Sequence, residues 1–291
     1  MNLKFLNEAF ARIPKETIQI AVSNINAYRN FIGNGVAVGK LAEVIVAKMF
    51  CNPEENVHGF SFAFTGKNPP FDIMVYQREE ALTKEAFTSL RRLYQIDFAT
   101  FCRAIDKAVG SNNWCGISLK NYLNHESQLT TNYKIRTICE DTLGQDFKTH
   151  QGGLVQEVLE AAKAELSHES ILLMNSFPDT RRYQFRLFNL DALPITYIQF
   201  TQKSKHTRYV FGNDQGPIFH VKYGKNQANP FQRGLWVDDL DKLPLLNAGT
   251  YGQSAFGKYI LDGALLHHKV SSAEEVVALV DQEDGGELAL S

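Results

Sequence analysis

Apolar residues recur at helical spacing through the first fifty positions, running to Phe31 behind Pro14, a residue suited to a helix start. The glycine-rich GNGVAVG (33–39) interrupts this pattern, and a further helix is predicted from about Lys40 to Phe50. From Gly59 the period shortens. FSFAF (60–64), the turn-forming GKNPP (66–70) and FDIMVY (71–76) together predict a pair of strands. Residues 79–109 return to helical spacing, and WCGISLKNY (114–122) reads as a strand. Helical stretches near 127–143 and 154–167 follow, and ILLMNS (171–176) is again a strand.

Beyond Phe177-Pro178 the texture changes to short β runs, RYQFRLFNL, ITYIQFT, RYVFG and PIFHVKYG, separated by Asp, Asn, Gly and Lys-Ser-Lys. This predicts at least four strands. A helix is expected near 254–268, and SSAEEVVALV (271–280) combines a Ser/Glu capping-box pattern with amphipathic spacing. The expected class is α/β (α+β), a mixed sheet flanked by helices. Its division is expected at residues 1–178, with a helical insertion at about 79–110, and at 179–291, a β-rich part with a helical acidic tail. No internal repeat or low-complexity linker separates the two.

Composition narrows the function classes. The 291 residues are 44% hydrophobic and 21% charged, which excludes a disordered chain or a stapled mini-protein. No apolar run approaches the roughly 18 residues of a membrane span. The opening MNLKFLNEAFARIPKE carries charges where a signal peptide needs an apolar stretch. The expectation is a soluble, cytoplasmic protein with no membrane partner. Cys51, Cys102, Cys115 and Cys139 form no CxxC pair and the histidines no HExxH, so neither structural disulfides nor a structural zinc is expected. The net charge of -2 hides an asymmetry. Residues 271–291 hold six acidic side chains and no Lys or Arg, whereas Arg181 to Arg233 holds nine Lys/Arg against Asp191 and Asp214.

Among candidate motifs, GNGVAVGK fails as a P-loop: Gly33 lies one residue too far from Gly39, and Leu41 follows Lys40 where Ser or Thr is needed. The sharper constellation is Asp72 on one strand, Ser118-Leu119-Lys120 on another and Glu43 on the preceding helix. Strand alternation puts Lys120 on the face of Ser118 and sends Leu119 into the core. A lysine so placed needs compensation, which a neighbouring carboxylate would supply. Taken singly, an Asp after Pro-Pro is a common turn residue and a Lys at a strand end a common solvated charge. The argument rests on their conjunction.

PPFDIMV (69–75) and GISLKNY (116–122), set among elements in this order, resemble the PD-(D/E)XK nuclease superfamily in an SxK variant. The resemblance implies a restriction-endonuclease-like mixed sheet and Mg²⁺ as cofactor. It implies Asp72 as metal ligand, the Leu119 carbonyl completing the shell, and Lys120 orienting or activating the attacking water. Glu43 corresponds to the acid that many members supply from the first core helix. Ser118 stands where the family usually has an acid. Glu43 is therefore the leading replacement, with Glu126 or Glu140 as alternatives. The implied activity is that of a type II site-specific deoxyribonuclease, hydrolysing double-stranded DNA to 5′-phosphate ends. A homodimer and a cognate DNA methyltransferase are the implied partners. A repair or structure-specific nuclease of the same fold, or a non-catalytic DNA-binding protein, are the competing readings.

The β-rich half supplies candidate DNA contacts: Arg181, Arg182, Lys203, Lys205 and Lys225 for phosphates, and Gln227, Asn229, Gln232 and Arg233 for base edges. RGLW beside NPFQ resembles C-terminal segments of restriction endonucleases, with Trp236 read as a core anchor. Gln128, close behind Lys120, is a further phosphate candidate. The acidic tail is expected to lie away from the DNA.

Overall fold

In the computed structural model, the described residues are 3–32, 35–63, 71–96, 98–125, 128–130, 170–189, 192–203, 206–224 and 234–252. Three helices come first: α1 (Leu3–Ala11), α2 (Lys15–Ile32) and α3 (Gly35–Met49). α2 begins directly behind Pro14, whose carbonyl accepts from the Ile18 amide at 3.2 Å. It buries Ile18, Ala21, Val22, Ile25 and Tyr28, a stripe at helical spacing. α3 starts at Gly35, not at about Lys40. Its glycines cost about 1 kcal/mol each in a helix, but Val38, Leu41, Ala42 and Val46 bury one continuous face, and that packing carries the helix through the glycine-rich stretch.

Strands β1 (Val57–Ser61), β2 (Ile73–Gln77) and β3 (Trp114–Leu123) enclose the expected helical insertion, here α4 (Lys84–Ile96) and α5 (Phe98–Val109). β1 pairs antiparallel with β2, Val57 opposite Gln77, and β2 pairs antiparallel with β3, Ile73 opposite Ile117. Ile73, Met74, Val75 and Tyr76 are all buried, the run expected of a strand covered on both faces. One cluster, containing Phe62, Phe71, Met74, Phe101, Ile105 and Trp114, ties α4 and α5 to these strands.

The later strands are β4 (Gln128–Thr130), β5 (Ser170–Phe177), β6 (Arg182–Asn189), β7 (Tyr197–Lys203), β8 (His206–Asn213), β9 (Gly216–Gly224), β10 (Gly234–Val237) and β11 (Leu245–Thr250). Two sheets result, in the orders β1-β2-β3-β5-β6-β11 and β4-β10-β9-β8-β7. The class is α+β, with a mixed sheet flanked by helices. The helix expected from about 127 is corrected at its start: Gln128–Thr130 is strand, paired with β10 so that Gln128 faces Trp236. A pairing partner about a hundred residues away decided that backbone, and no local pattern contains it. The helices expected at 154–167, 254–268 and 271–280 lie outside the described residues.

The described residues fall into two compact units, one within Asn2–Asn121, Ser176–Tyr183 and Gly249–Ser291, the other within Tyr122–Asn175 and Gln184–Ala248. Both draw on chain from either side of residue 178. In the second, β7, β8 and β9 form an antiparallel meander with Phe211 stacked on Phe219 across strands. Glu43, Asp72 and Lys120 all belong to the first. No helix among the described residues is long and apolar enough to cross a membrane.

Candidate active site

Asp72 is not within a strand but at the bend just ahead of β2. Its backbone is gripped from both sides: the Asp72 amide donates to the Ile117 carbonyl of β3, and its carbonyl accepts from the Phe62 amide behind β1, each at 2.8 Å. Phe71 next to it is fully buried. A Cβ on Gly116 would lie 2.2 Å from that ring, so the absent side chain on β3 lets Phe71 lie flat on the strand. So held, the Asp72 side chain takes over from the backbone ladder: Oδ2 accepts the Leu119 amide at 2.9 Å. A residue's N–H and C=O point to the same edge of an antiparallel strand, so the Leu119 carbonyl lies on the Asp72 edge too.

Lys120 follows on β3, its Nζ 3.8 Å from Asp72 Oδ2, with side chains 15% and 21% exposed respectively. On the other side of this strand Asn121 accepts from Arg29 Nη2 at 2.6 Å, and Arg29 Nη1 donates to Asn26 Oδ1 at 3.0 Å. This α2 bracket fixes the strand end beside Lys120. It went unread in the sequence because no local spacing links residues 26 and 29 to 121. Ser118 is buried, so the position usually acidic in the resembled family holds a hydroxyl in the interior.

Glu43 comes from α3, which packs on β1 and β2. The approach is close: a Cβ on Gly59 of β1 would fall 1.9 Å from the Ala47 carbonyl oxygen, so only glycine lets α3 lie there. Glu43 is 7% exposed. Burial, reinforced by repulsion from Asp72, pushes its carboxyl up to about 7, while attraction to Lys40 and Lys120 opposes the rise. Lys40, one turn earlier, stands 3.3 Å from both Glu43 oxygens. It was missed as a site residue, although its i,i+3 spacing to Glu43 is the available signal.

The structure thus brings together Asp72, Lys120, Glu43 and the Leu119 backbone. Glu126, Glu140, Lys205, Lys225, Gln227, Asn229, Gln232 and Arg233 lie outside the described residues, and the side chains of Gln128 and Lys203 are not described. Arg181, in the turn after β5 at φ 49°, and Arg182, the first residue of β6, are both exposed. Arg186, counted in the basic segment, is 3% exposed and donates to the Leu243 carbonyl at 2.6 Å and to Asp241 at 3.1 Å. It serves packing, not a ligand. Trp236 is half-buried on β10.

Among the described residues no three His, Cys, Asp or Glu side chains converge to hold a metal ion. Two carboxylates, Glu43 and Asp72, lie near enough to repel each other, and Glu43 is buried. This suits Mg²⁺, which is commonly held by one or two carboxylates with water and substrate phosphate completing the shell. No protein-family model matches the chain, and neither a curated protein nor a solved structure matches it significantly.

Proposed function

We propose that the chain is a Mg²⁺-dependent nuclease of the PD-(D/E)XK kind that hydrolyses phosphodiester bonds of double-stranded DNA, in its specific form a type II restriction endonuclease. The observation that carries this reading is the convergence of Asp72, Lys120 and Glu43 from a bend, a strand and a helix. In this reading Glu43, Asp72 and the Leu119 carbonyl hold the metal. When bound, Mg²⁺ supplies Lewis acidity at the scissile phosphate and offsets the charge that builds there.

The chain's own groups do the rest. The Leu119 amide and the doubly gripped backbone keep the Asp72 carboxylate in one orientation, so little reorganisation is needed when charge develops. Lys120 presents donor protons beside Asp72, where its ammonium hydrogen-bonds the attacking water and faces the growing negative charge. Water attacks phosphorus, the P–O3′ bond breaks, and the products are a 5′-phosphate and a 3′-hydroxyl. Cutting both strands at a symmetric site is most simply done by a homodimer. A host using such an enzyme in its cytoplasm would protect its own sites with a cognate DNA methyltransferase.

The test is incubation of purified protein with unmethylated plasmid and genomic DNA in Mg²⁺ or EDTA, beside Asp72→Asn and Lys120→Met. Discrete Mg²⁺-dependent fragments that vanish in both variants support the full reading. A metal-dependent smear keeps the nuclease and removes the sequence specificity. Intact DNA across all sources, with a salt-sensitive gel shift, replaces the enzyme by a binding protein.

A further inference from the structure

The hydrolysis described above leaves Lys40 without a task. Its Nζ stands 3.3 Å from both Oε1 and Oε2 of Glu43, one turn along α3. Together with Lys120 and Asp72 this makes a cluster of two ammoniums and two carboxylates, formally neutral. The two lysines are not equivalent. The Lys120 side chain is 15% exposed and sits on the strand whose amide orients Asp72. The Lys40 side chain is 33% exposed, while its partner Glu43 is 10% exposed. Lys40 therefore reaches Glu43 from the solvent side on a flexible four-carbon stem.

Lys40 sits on both oxygens of Glu43, so a divalent cation bound through this carboxylate stands against an ammonium already there and shares its lone-pair sites. Adding it to a neutral cluster also leaves two positive charges in excess. The ammonium that can leave at least desolvation cost is the more exposed one. Once detached, it stands beside a site whose net charge has become positive and which draws in an anion.

We propose that Lys40 is the displaceable counter-ion of this site: it holds Glu43 while no divalent cation is bound, yields when one binds, and then pairs with a backbone phosphate of the nucleic acid. This rests on the nuclease reading and adds to it a positioning residue that couples metal loading to substrate grip. Lys40 and a divalent cation thus compete for Glu43, whereas metal and DNA phosphate bind cooperatively through the released ammonium.

The experiment measures Mn²⁺ binding to DNA-free protein by the paramagnetic resonance of free Mn²⁺, for wild type, Lys40→Met, Lys40→Arg and Asp72→Asn. It also measures the salt dependence of DNA binding in Ca²⁺. Lys40→Met, which keeps the apolar stem, is expected to bind Mn²⁺ roughly two- to fivefold tighter, the effect of one partly exposed ion pair removed. Its log-affinity for DNA should fall less steeply with log salt, by about 0.9 for one lost phosphate contact. Lys40→Arg should restore both. Unchanged or weaker Mn²⁺ binding by Lys40→Met, or an unchanged salt slope, overturns the role of Lys40 alone, provided wild type binds Mn²⁺ and Asp72→Asn does not. Wild type that binds no Mn²⁺, or binds it equally without the Asp72 charge, overturns the nuclease reading and this role with it. Thermal melts accompany each variant, and Lys40→Gln replaces Lys40→Met if the latter does not fold.

Discussion

Replacing Glu43 by glutamine keeps the shape of the side chain and deletes the charge that the fold tolerates least. Burial and the neighbouring Asp72 raise this carboxyl from an ordinary 4.5 to about 7, with the attractions of Lys40 and Lys120 already included. At about 1.4 kcal/mol per pH unit the gap amounts to about 3 kcal/mol. The sign follows from proton binding. Because the folded carboxyl holds its proton more tightly than the unfolded one, this contribution to stability is fully present below about pH 4.5. It is lost as pH rises through about 7, and is constant above. Glutamine has no proton to lose. Urea unfolding of wild type and Glu43→Gln in EDTA, from about pH 4.5 to about pH 8, should therefore show the variant gaining about 3 kcal/mol on wild type across that range. A difference between the two that does not change with pH would refute the reasoning. Mg²⁺ added at the alkaline end should stabilise wild type and leave the variant nearly unmoved, since the variant lacks a charged ligand.

Asp72→Asn and Lys120→Met should each lower the single-turnover cleavage rate by about 10²–10³ or more, with DNA affinity in Ca²⁺ held within a few-fold, because each removes charge stabilisation at the reacting phosphate. Gly59→Ala should cost about 1–3 kcal/mol in urea unfolding, as a methyl cannot share space with the Ala47 carbonyl 1.9 Å away. Gly116→Ala should cost a similar amount and also weaken Mn²⁺ binding, since it displaces Phe71 next to Asp72. Arg186→Met should cost about 2 kcal/mol by stranding the Leu243 carbonyl. Its other partners are Gln184 and Asp241, and the Asp241 side chain, 93% exposed, returns to water. Mn²⁺ affinity should not change.

The elements whose side chains obey one period were legible in the chain. The apolar run of WCGISLKNY marked β3, the short runs after residue 178 marked β6 to β9, and the apolar stripe of α2 marked that helix, because each pattern records what must be buried. Strand geometry, which puts positions 118 and 120 on one face, singled out Lys120, a lysine that no core accepts without a partner. Wherever a distant segment supplied the decisive energy, the sequence was silent. α3 starts at Gly35 because its apolar face is packed, and Gln128–Thr130 is strand because β10 pairs with it. Arg186 counts toward the basic segment in sequence, yet its guanidinium is folded onto the 3₁₀ turn at Leu240–Lys242 and the carbonyl behind it.

At the site, sequence by itself determined which groups carry charge and roughly where they ride: Glu43 on a helix, Asp72 with one strand, Lys120 on the next, while the structure moved Asp72 to the bend just ahead of its strand. The tertiary structure alone decided that Asp72 takes the Leu119 amide and that Glu43 is buried near a second carboxylate. The reason is physical. Periodicity is a property of neighbours along the chain, whereas a raised pKa and a shared carboxylate depend on distances of a few ångströms between residues far apart in sequence, set by contacts as specific as the missing Cβ atoms of Gly59 and Gly116.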